Sequence, residues 1–371
     1  MYAYRNPKLR FAAKLIDKTG KIFFKEKQSA GHNPRRILII KTDHLGDCYL
    51  MTPLFSYLKK QYPGALIDIA CLESSIPVFE NNPYINKVIP YNKRGASRPP
   101  FNSASSSGLL KFTAYIRKNK YNLFIDPRGD LISAIIGFFS GIPLRIGFEE
   151  EEAGGFLYNI RLSYNRLQHE TKKYAVLLDA LGIEVKEWQP ALFPSENEKR
   201  TIDDKLCGIK RPFAVIHPGA GLPYKMWPVE RWASAAEYFP GRNYSVVFSG
   251  ASTDKEIVNR IISLMPCKEN LYNCAGQFSL RETYYFISQS SFFAGNDSAL
   301  GHFAGALGIP ALILMNNAVD SNRWKPAGQK VKVISGKNGS HNCLLDNCAY
   351  PCPNMENIAV SNVIDGFASL M

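Results

Sequence analysis

A chain of 371 residues, 46% of them hydrophobic, exceeds the size at which single cores stop growing and carries enough apolar side chains to fill two. Its formal net charge is +13, yet ten Lys or Arg against two acids fall within residues 1–36, so +8 lies in the first tenth and only +5 in the rest. That excludes a generally basic nucleic-acid binder, and no DNA- or RNA-binding module is recognisable. The most apolar run, Leu131 to Leu144, is too short to span a bilayer and contains Gly137, Gly141 and Pro143.

The arm, residues 1–34, mixes its charges with Leu9, Phe11, Leu15, Ile16, Ile22, Phe23 and Phe24. It reads either as an element lying on the anionic inner face of a membrane or as a flexible basic tail. It lacks the unbroken apolar core of a secretory signal, so the expectation is a cytoplasmic protein, peripheral to the membrane if the arm binds there.

Arg36-Ile37-Leu38-Ile39-Ile40-Lys41 reads as a buried strand. Thr42-Asp43-His44-Leu45-Gly46-Asp47 turns into an amphipathic helix, Cys48 to Tyr62. This unit lacks the Gly-x-Gly-x-x-Gly of a dinucleotide fold, which argues against an NAD enzyme. Asp47 stands where a carboxylate either caps a helix or faces the open edge of a sheet. Further strands are predicted at Leu66 to Cys71, Asn86 to Tyr91, Tyr121 to Asp126 and Leu144 to Gly147, with helices at Leu109 to Lys118 and Leu131 to Phe139. Arg94 to Gly108 is a small, polar stretch suited to a mobile loop, and Glu149 to Gly155 an acidic, solvated one.

Pro190, Pro194 and Pro212 bracket a polar segment, which sets the expected organisation: domain 35–188, linker 189–211, domain 212–352, and a C-terminal helix, 353–371. The second half repeats the alternation. Its strands are predicted at Phe213 to His217, Tyr244 to Ser249, Asn270 to Asn273, Ser291 to Ala294, Ala311 to Met315 and Val331 to Ile334. Helices separate them near Val229 to Phe239, Lys255 to Leu264 and Leu280 to Gln289. Such alternation predicts two doubly wound parallel α/β sheets.

Two loops of this half carry chemistry. After His217, Pro218 to Pro228 places the cation of Lys225 on a loop. After Ala294, Gly295-Asn296-Asp297-Ser298-Ala299 opens a helix through His302 whose first N–H groups can hold a phosphate. Asp297 or Ser298 would cap that helix, and Ser298 and His302, four apart, share one face. Each segment alone is also satisfied by an ordinary capped helix or a surface lysine. Of eight cysteines, five lie singly, as reduced buried thiols do. His341, Cys343, Cys348 and Cys352 cluster, but at no common zinc spacing, which leaves either a metal site or thiols packing a loop.

Taken together, Lys41 to Asp47, His217-Pro218-Gly219-Ala220 with Lys225-Met226-Trp227-Pro228, and Gly295 to Ser298 with His302 resemble the ADP-heptose:lipopolysaccharide heptosyltransferase family, from about Arg36 to the C-terminal helix. The resemblance implies a GT-B architecture of two Rossmann-like domains facing across a cleft, the first holding the acceptor and the second the nucleotide-sugar, with the C-terminal helix, 353–371, crossing back to the first domain. It puts Asp47 on the family's catalytic base and Lys225 on its diphosphate-contacting lysine. Gly219, Asp297, Ser298, Ala299 and His302 fall in its donor site. Ala299 departs from the glycine common there, and the added methyl narrows the approach to the phosphate.

The expected reaction is inverting transfer of a sugar, heptose from ADP-heptose by the resemblance, to lipopolysaccharide core or a related surface glycan. Asp47 would take the acceptor proton while Lys225 and the helix amides carry the leaving diphosphate's charge. No Asp-x-Asp motif lies in these segments, and Asp203-Asp204 falls in the linker, so neither a metal nor a cofactor is expected. Lys41, Arg128 and Arg145, near strand ends of the first domain, are candidates to pair with acidic groups of the acceptor. The rivals are a nucleotide-sugar-binding module without turnover and a nucleotide-sugar epimerase of similar shape.

Overall fold

The computed structural model describes residues 15–22, 33–91, 106–149, 154–165, 167–316, 320–336, 348 and 350–371. Most of the basic arm, residues 94–105 of the small polar stretch, the centre of the acidic run, His341 and Cys343 lie outside them. The chain divides into two units, Met1–Pro190 and Ala191–Met371.

The first unit is a parallel sheet in the order β3-β2-β1-β4-β5-β6. Its strands are β1 Arg36–Lys41, β2 Leu66–Cys71, β3 Lys87–Pro90, β4 Leu123–Asp126, β5 Leu144–Phe148 and β6 Ile160–Leu162. Ile37 to Ile40 of β1 are at most 1% exposed, as the central strand of a sheet covered on both faces must be. The single helix expected over Cys48 to Tyr62 is two, Leu45–Leu50 and Pro53–Gln61. Pro53 has no N–H to donate, so the chain restarts with it in the first turn of the second helix. Strand β6 and the helix Thr171–Asp179 have too few alternating or periodic residues to stand out in the sequence.

The second unit repeats the topology in the order β12-β11-β10-β7-β8-β9. Its strands are β7 Phe213–His217, β8 Ser245–Phe248, β9 Leu271–Asn273, β10 Phe292–Asn296, β11 Ala311–Met315 and β12 Val331–Ser335. In each unit the first strand pairs in parallel with the fourth, β1 with β4 and β7 with β10. Strand order reverses there, and the loops leaving the carboxyl ends part to opposite faces, opening the crevice where such sheets bind ligands.

The division falls at Pro190, inside the expected linker, whose helix is Glu196–Leu206 with a Ser195–Glu198 capping box. It is fixed to the helix Leu280–Ser288 by the Arg281–Glu198 ion pair at 2.9 Å and by the Tyr285 hydroxyl donating to Asp203. It therefore belongs to the second unit.

The C-terminal helix Val360–Ala368 falls in the second unit. Val363 and Phe367 are fully buried in that unit's core, the Phe367 ring 4.9 Å from Phe239 and 5.6 Å from Phe292. Cys352 lies in the same core with Cys348 against it. Truncating Phe367 to Ala should cost about 3–5 kcal/mol. Scanning calorimetry should then show the loss in one unit's unfolding while the other's is unchanged; equal loss in both would argue against this assignment.

Candidate active site

Strand β1 ends in a tight knot of charge. Lys41, 2% exposed, lies 2.6 Å from the Asp43 carboxylate and over the Tyr174 ring at 5.4 Å. Arg128 reaches the same carboxylate and the Thr42 carbonyl. Burial acts to raise the Asp43 pKa, but Lys41 and Arg128 outweigh it and hold it at about 2. Asp43 is thus a fixed anion that neutralises two cations.

Asp47 sits three residues on, in the first turn of Leu45–Leu50. Its carboxylate is half-buried and, among the described residues, makes no hydrogen bond or ion pair. The capping role is therefore not the one it fills. Burial above all, with the negative charges of Asp43 and Glu170, outweighs Lys41 and His44 and raises its pKa. The short helix is anchored from behind: Tyr174 donates to the Asp47 carbonyl at 3.1 Å and the Trp188 indole N–H to the Leu50 carbonyl at 2.8 Å.

The three acceptor candidates differ in what already engages them. Lys41 is sealed beneath Asp43, so its charge is spent inside the protein. Arg145 follows the first residue of β5, at the amino end away from the crevice. Its guanidinium donates to the Leu157 and Ile142 carbonyls at 2.8 and 2.6 Å and lies over Phe138. Arg128 has a side chain 37% exposed and is held by a turn built on Asp126. Asp126, fully buried, accepts from the N–H groups of Arg128, Gly129 and Asp130, each at 2.9 Å, and from the Tyr158 hydroxyl at 2.6 Å.

In the second unit the loops after β7 and β10 are joined by Asn296, which is fully buried. Its amide donates to the Pro218 carbonyl at 2.6 Å and its oxygen accepts from the Trp227 N–H at 3.2 Å. Trp227 in turn is buried and gives its indole N–H to the Ile358 carbonyl. Lys225, between these anchors, forms a 2.6 Å ion pair with Asp297.

Ser298 occupies the N-cap of Ala299–Ala306, but neither it nor Asp297 caps the helix as expected. Asp297 is committed to Lys225, and the Ser298 hydroxyl lies 3.0 Å from Nδ1 of His217. Among the described residues no N-cap side chain bonds the first-turn amides, which leaves them the anion-holding face of a helix start. Ala299 is half-buried, while His302, one turn in, is only 7% exposed. A Cβ on Gly219 would lie within 2.4–2.6 Å of the Asp254 carboxylate, so glycine is required there for packing.

Residues 109–353 match glycosyltransferase family 9 (heptosyltransferase). The chain belongs to this family. Over 319 residues it is 28% identical to lipopolysaccharide heptosyltransferase 2 of Escherichia coli (strain K12), covering 82% of this chain and 89% of the relative. The solved E. coli ADP-heptose lps heptosyltransferase II superposes with a TM-score of 0.72 at 23% identity, covering 90% of this chain and 98% of that one. A glycosyl transferase family 9 structure from Veillonella parvula DSM 2008 gives 0.75 at 22% identity, with 91% and 97% covered. The fold is thus the GT-B class, and the protein is a glycosyltransferase.

Sequence reasoning missed Asp254, Asn296 and Asp126 as site-forming residues. Asp126 had a local signal, an Asp two to four residues ahead of the Gly and Asp whose amides it accepts. Asp254 had none.

The Asp43 cluster predicts an acid limit. Its folded pKa lies below the unfolded value of about 4, so its contribution is complete above pH ~4 and lost as pH falls toward ~2. Asp43→Asn should flatten stability against pH over that window and, by leaving Lys41 buried without its anion, cost about 3–5 kcal/mol at neutral pH in urea unfolding.

Proposed function

We propose that this glycosyltransferase is an inverting heptosyltransferase, transferring heptose from ADP-heptose to an acceptor in lipopolysaccharide core or a related surface glycan. The observation that carries the reading is Asp47, an unencumbered carboxylate of raised pKa in the crevice of the first sheet. A carboxylate already bonded to cations, like Asp43, is a poor base; Asp47 has the freedom and basicity to take a proton from a sugar hydroxyl. The names of the relatives support heptose as the sugar and lipopolysaccharide as the acceptor. The structural likeness to an E. coli ADP-heptose lps heptosyltransferase supports ADP-heptose as the donor.

The first unit would supply the base, and the part-exposed guanidinium of Arg128, held on one side by Asp43, would meet an acidic acceptor with the other. The second would hold the nucleotide diphosphate. As the bond from the sugar carbon to the diphosphate oxygen breaks, negative charge gathers on that oxygen, where Lys225, Ser298 and the amides after it can stabilise it. Inversion follows from attack on the ring face opposite the leaving group, the logic of an inverting glycosidase with an alcohol in place of water. This chemistry asks for no cofactor and no metal.

The arm would meet the anionic inner face of the membrane. In its described part, residues 15–22 form a helix that turns Asp17 inward to the Gly154 N–H and exposes Leu15, Ile16 and Ile22. Among the described residues no helix is long and apolar enough to cross a membrane.

Asp47→Ala should lower kcat by about 10²–10⁴-fold while ADP affinity and thermal unfolding stay near wild type. Retained turnover would remove the base assignment. Because the base works deprotonated and its pKa is raised, kcat/KM of the wild type should climb with pH through a midpoint above the ordinary carboxylate range of about 4. Incubation with ADP-heptose alone should leave the sugar's configuration unchanged; epimerised donor would point to the isomerase alternative.

A further inference from the structure

The imidazole of His217 ends β7 at 6% exposure and lies between two groups distant in sequence. Nδ1 is 3.0 Å from the Ser298 hydroxyl, and Nε2 is 3.5 Å from the Asp254 carboxylate. Asp254 is built in: its carboxylate accepts the Ala251 N–H at 2.8 Å and leaves no room for a side chain on Gly219 or Gly250. Burial works against its charge, but the bonds from His217 and from the Ala251 amide hold its pKa below the usual range.

An ionised carboxylate only accepts, so Nε2 carries the hydrogen that faces it. In the neutral ring Nδ1 is then bare, and the Ser298 hydroxyl must donate to it, turning its oxygen lone pairs toward any ligand. Lone pairs repel a phosphate. If the ring takes a second proton, Nδ1–H donates to the Ser298 oxygen and the hydroxyl hydrogen is released to point outward. Among the described residues, the elements around the ring also carry Lys225 and Asp297, paired with each other, His302 on the helix that Ser298 opens, and Lys255, Glu256 and Arg260 on the helix that Asp254 opens.

We infer that His217 is a positioning residue that sets the direction of the Ser298 hydroxyl, and that binding of a diphosphate takes up one proton on its imidazole. The inference rests on the reading of the second unit as the holder of a nucleotide diphosphate. The proton comes from solvent as the diphosphate arrives and returns as it leaves. While bound, it adds a positive charge one residue removed from the leaving group.

The test is calorimetric titration of the whole protein with ADP, UDP and GDP in buffers of different ionisation heat at about pH 8, where the diphosphate is already fully ionised. For the tightest of the three, the wild type should take up close to one proton, and affinity should fall by up to about tenfold per pH unit on the alkaline side. His217→Gln, whose amide takes up no proton, should bind with no proton uptake and a flat profile. Ser298→Ala should also lose the uptake although the imidazole remains, and Asp254→Asn should move the wild-type profile to lower pH. Thermal unfolding of each variant reports folding separately. Binding without proton uptake in the wild type, or uptake that persists in either His217→Gln or Ser298→Ala, overturns the inference and leaves the diphosphate site standing. Failure of all three nucleotides to bind the wild type removes the diphosphate site itself, and the inference with it.

Discussion

The chemistry of this molecule depends on parallel pairing between strands that are first and fourth in each unit. Because β7 hydrogen-bonds to β10, with Gly295 opposite His217, the ends of two strands nearly eighty residues apart are fixed side by side. Their following loops must leave to opposite faces, and no helix can cover the gap. The same constraint between β1 and β4 brings the turn after Lys41 against the turn after Asp126. The sugar- and nucleotide-site residues argued above sit on these four loops or in the first helical turn that follows them.

Within each crevice the protein distinguishes charges that are used up from charges that are kept available. Asp43, Lys41 and Asp297 are paired, and burying them without partners would be far more costly than the pairing returns. Asp47 stands apart from such pairing. Its basicity comes from its neighbours as much as from itself: a partly desolvated carboxylate beside a fixed anion, with the nearest cation already claimed by that anion. Lys225 is the intermediate case, paired but 22% exposed, and under the proposed function it would exchange Asp297 for a diphosphate.

Much of this was legible in the sequence. Strand cores such as Arg36–Lys41 and Phe213–His217 appear as unbroken apolar runs because both faces of a parallel sheet are covered, and Lys225 and Asp297 stand out as charges directly after such runs. The motifs were readable because each is local. What was not readable is contact at a distance: nothing near Asp254 announces that its carboxylate reaches His217, and nothing near Asp43 announces that it will neutralise Lys41 and thereby withdraw that lysine from the acceptor. Arg145 misled for a related reason, since a strand's charge pattern does not say which of its ends faces the crevice. The C-terminal helix was identified by its periodicity, but periodicity gives a buried face and not the surface that buries it.

The cross-brace made by Asn296 has a kinetic corollary. Since its amide already ties the Pro218 carbonyl to the Trp227 N–H, the segment bearing Lys225 is braced when the polypeptide folds, and under the proposed function an arriving nucleotide would not need to spend its own contacts on stiffening it. Association would then proceed onto a finished surface, and the spent nucleotide would depart without waiting for a long segment to unravel.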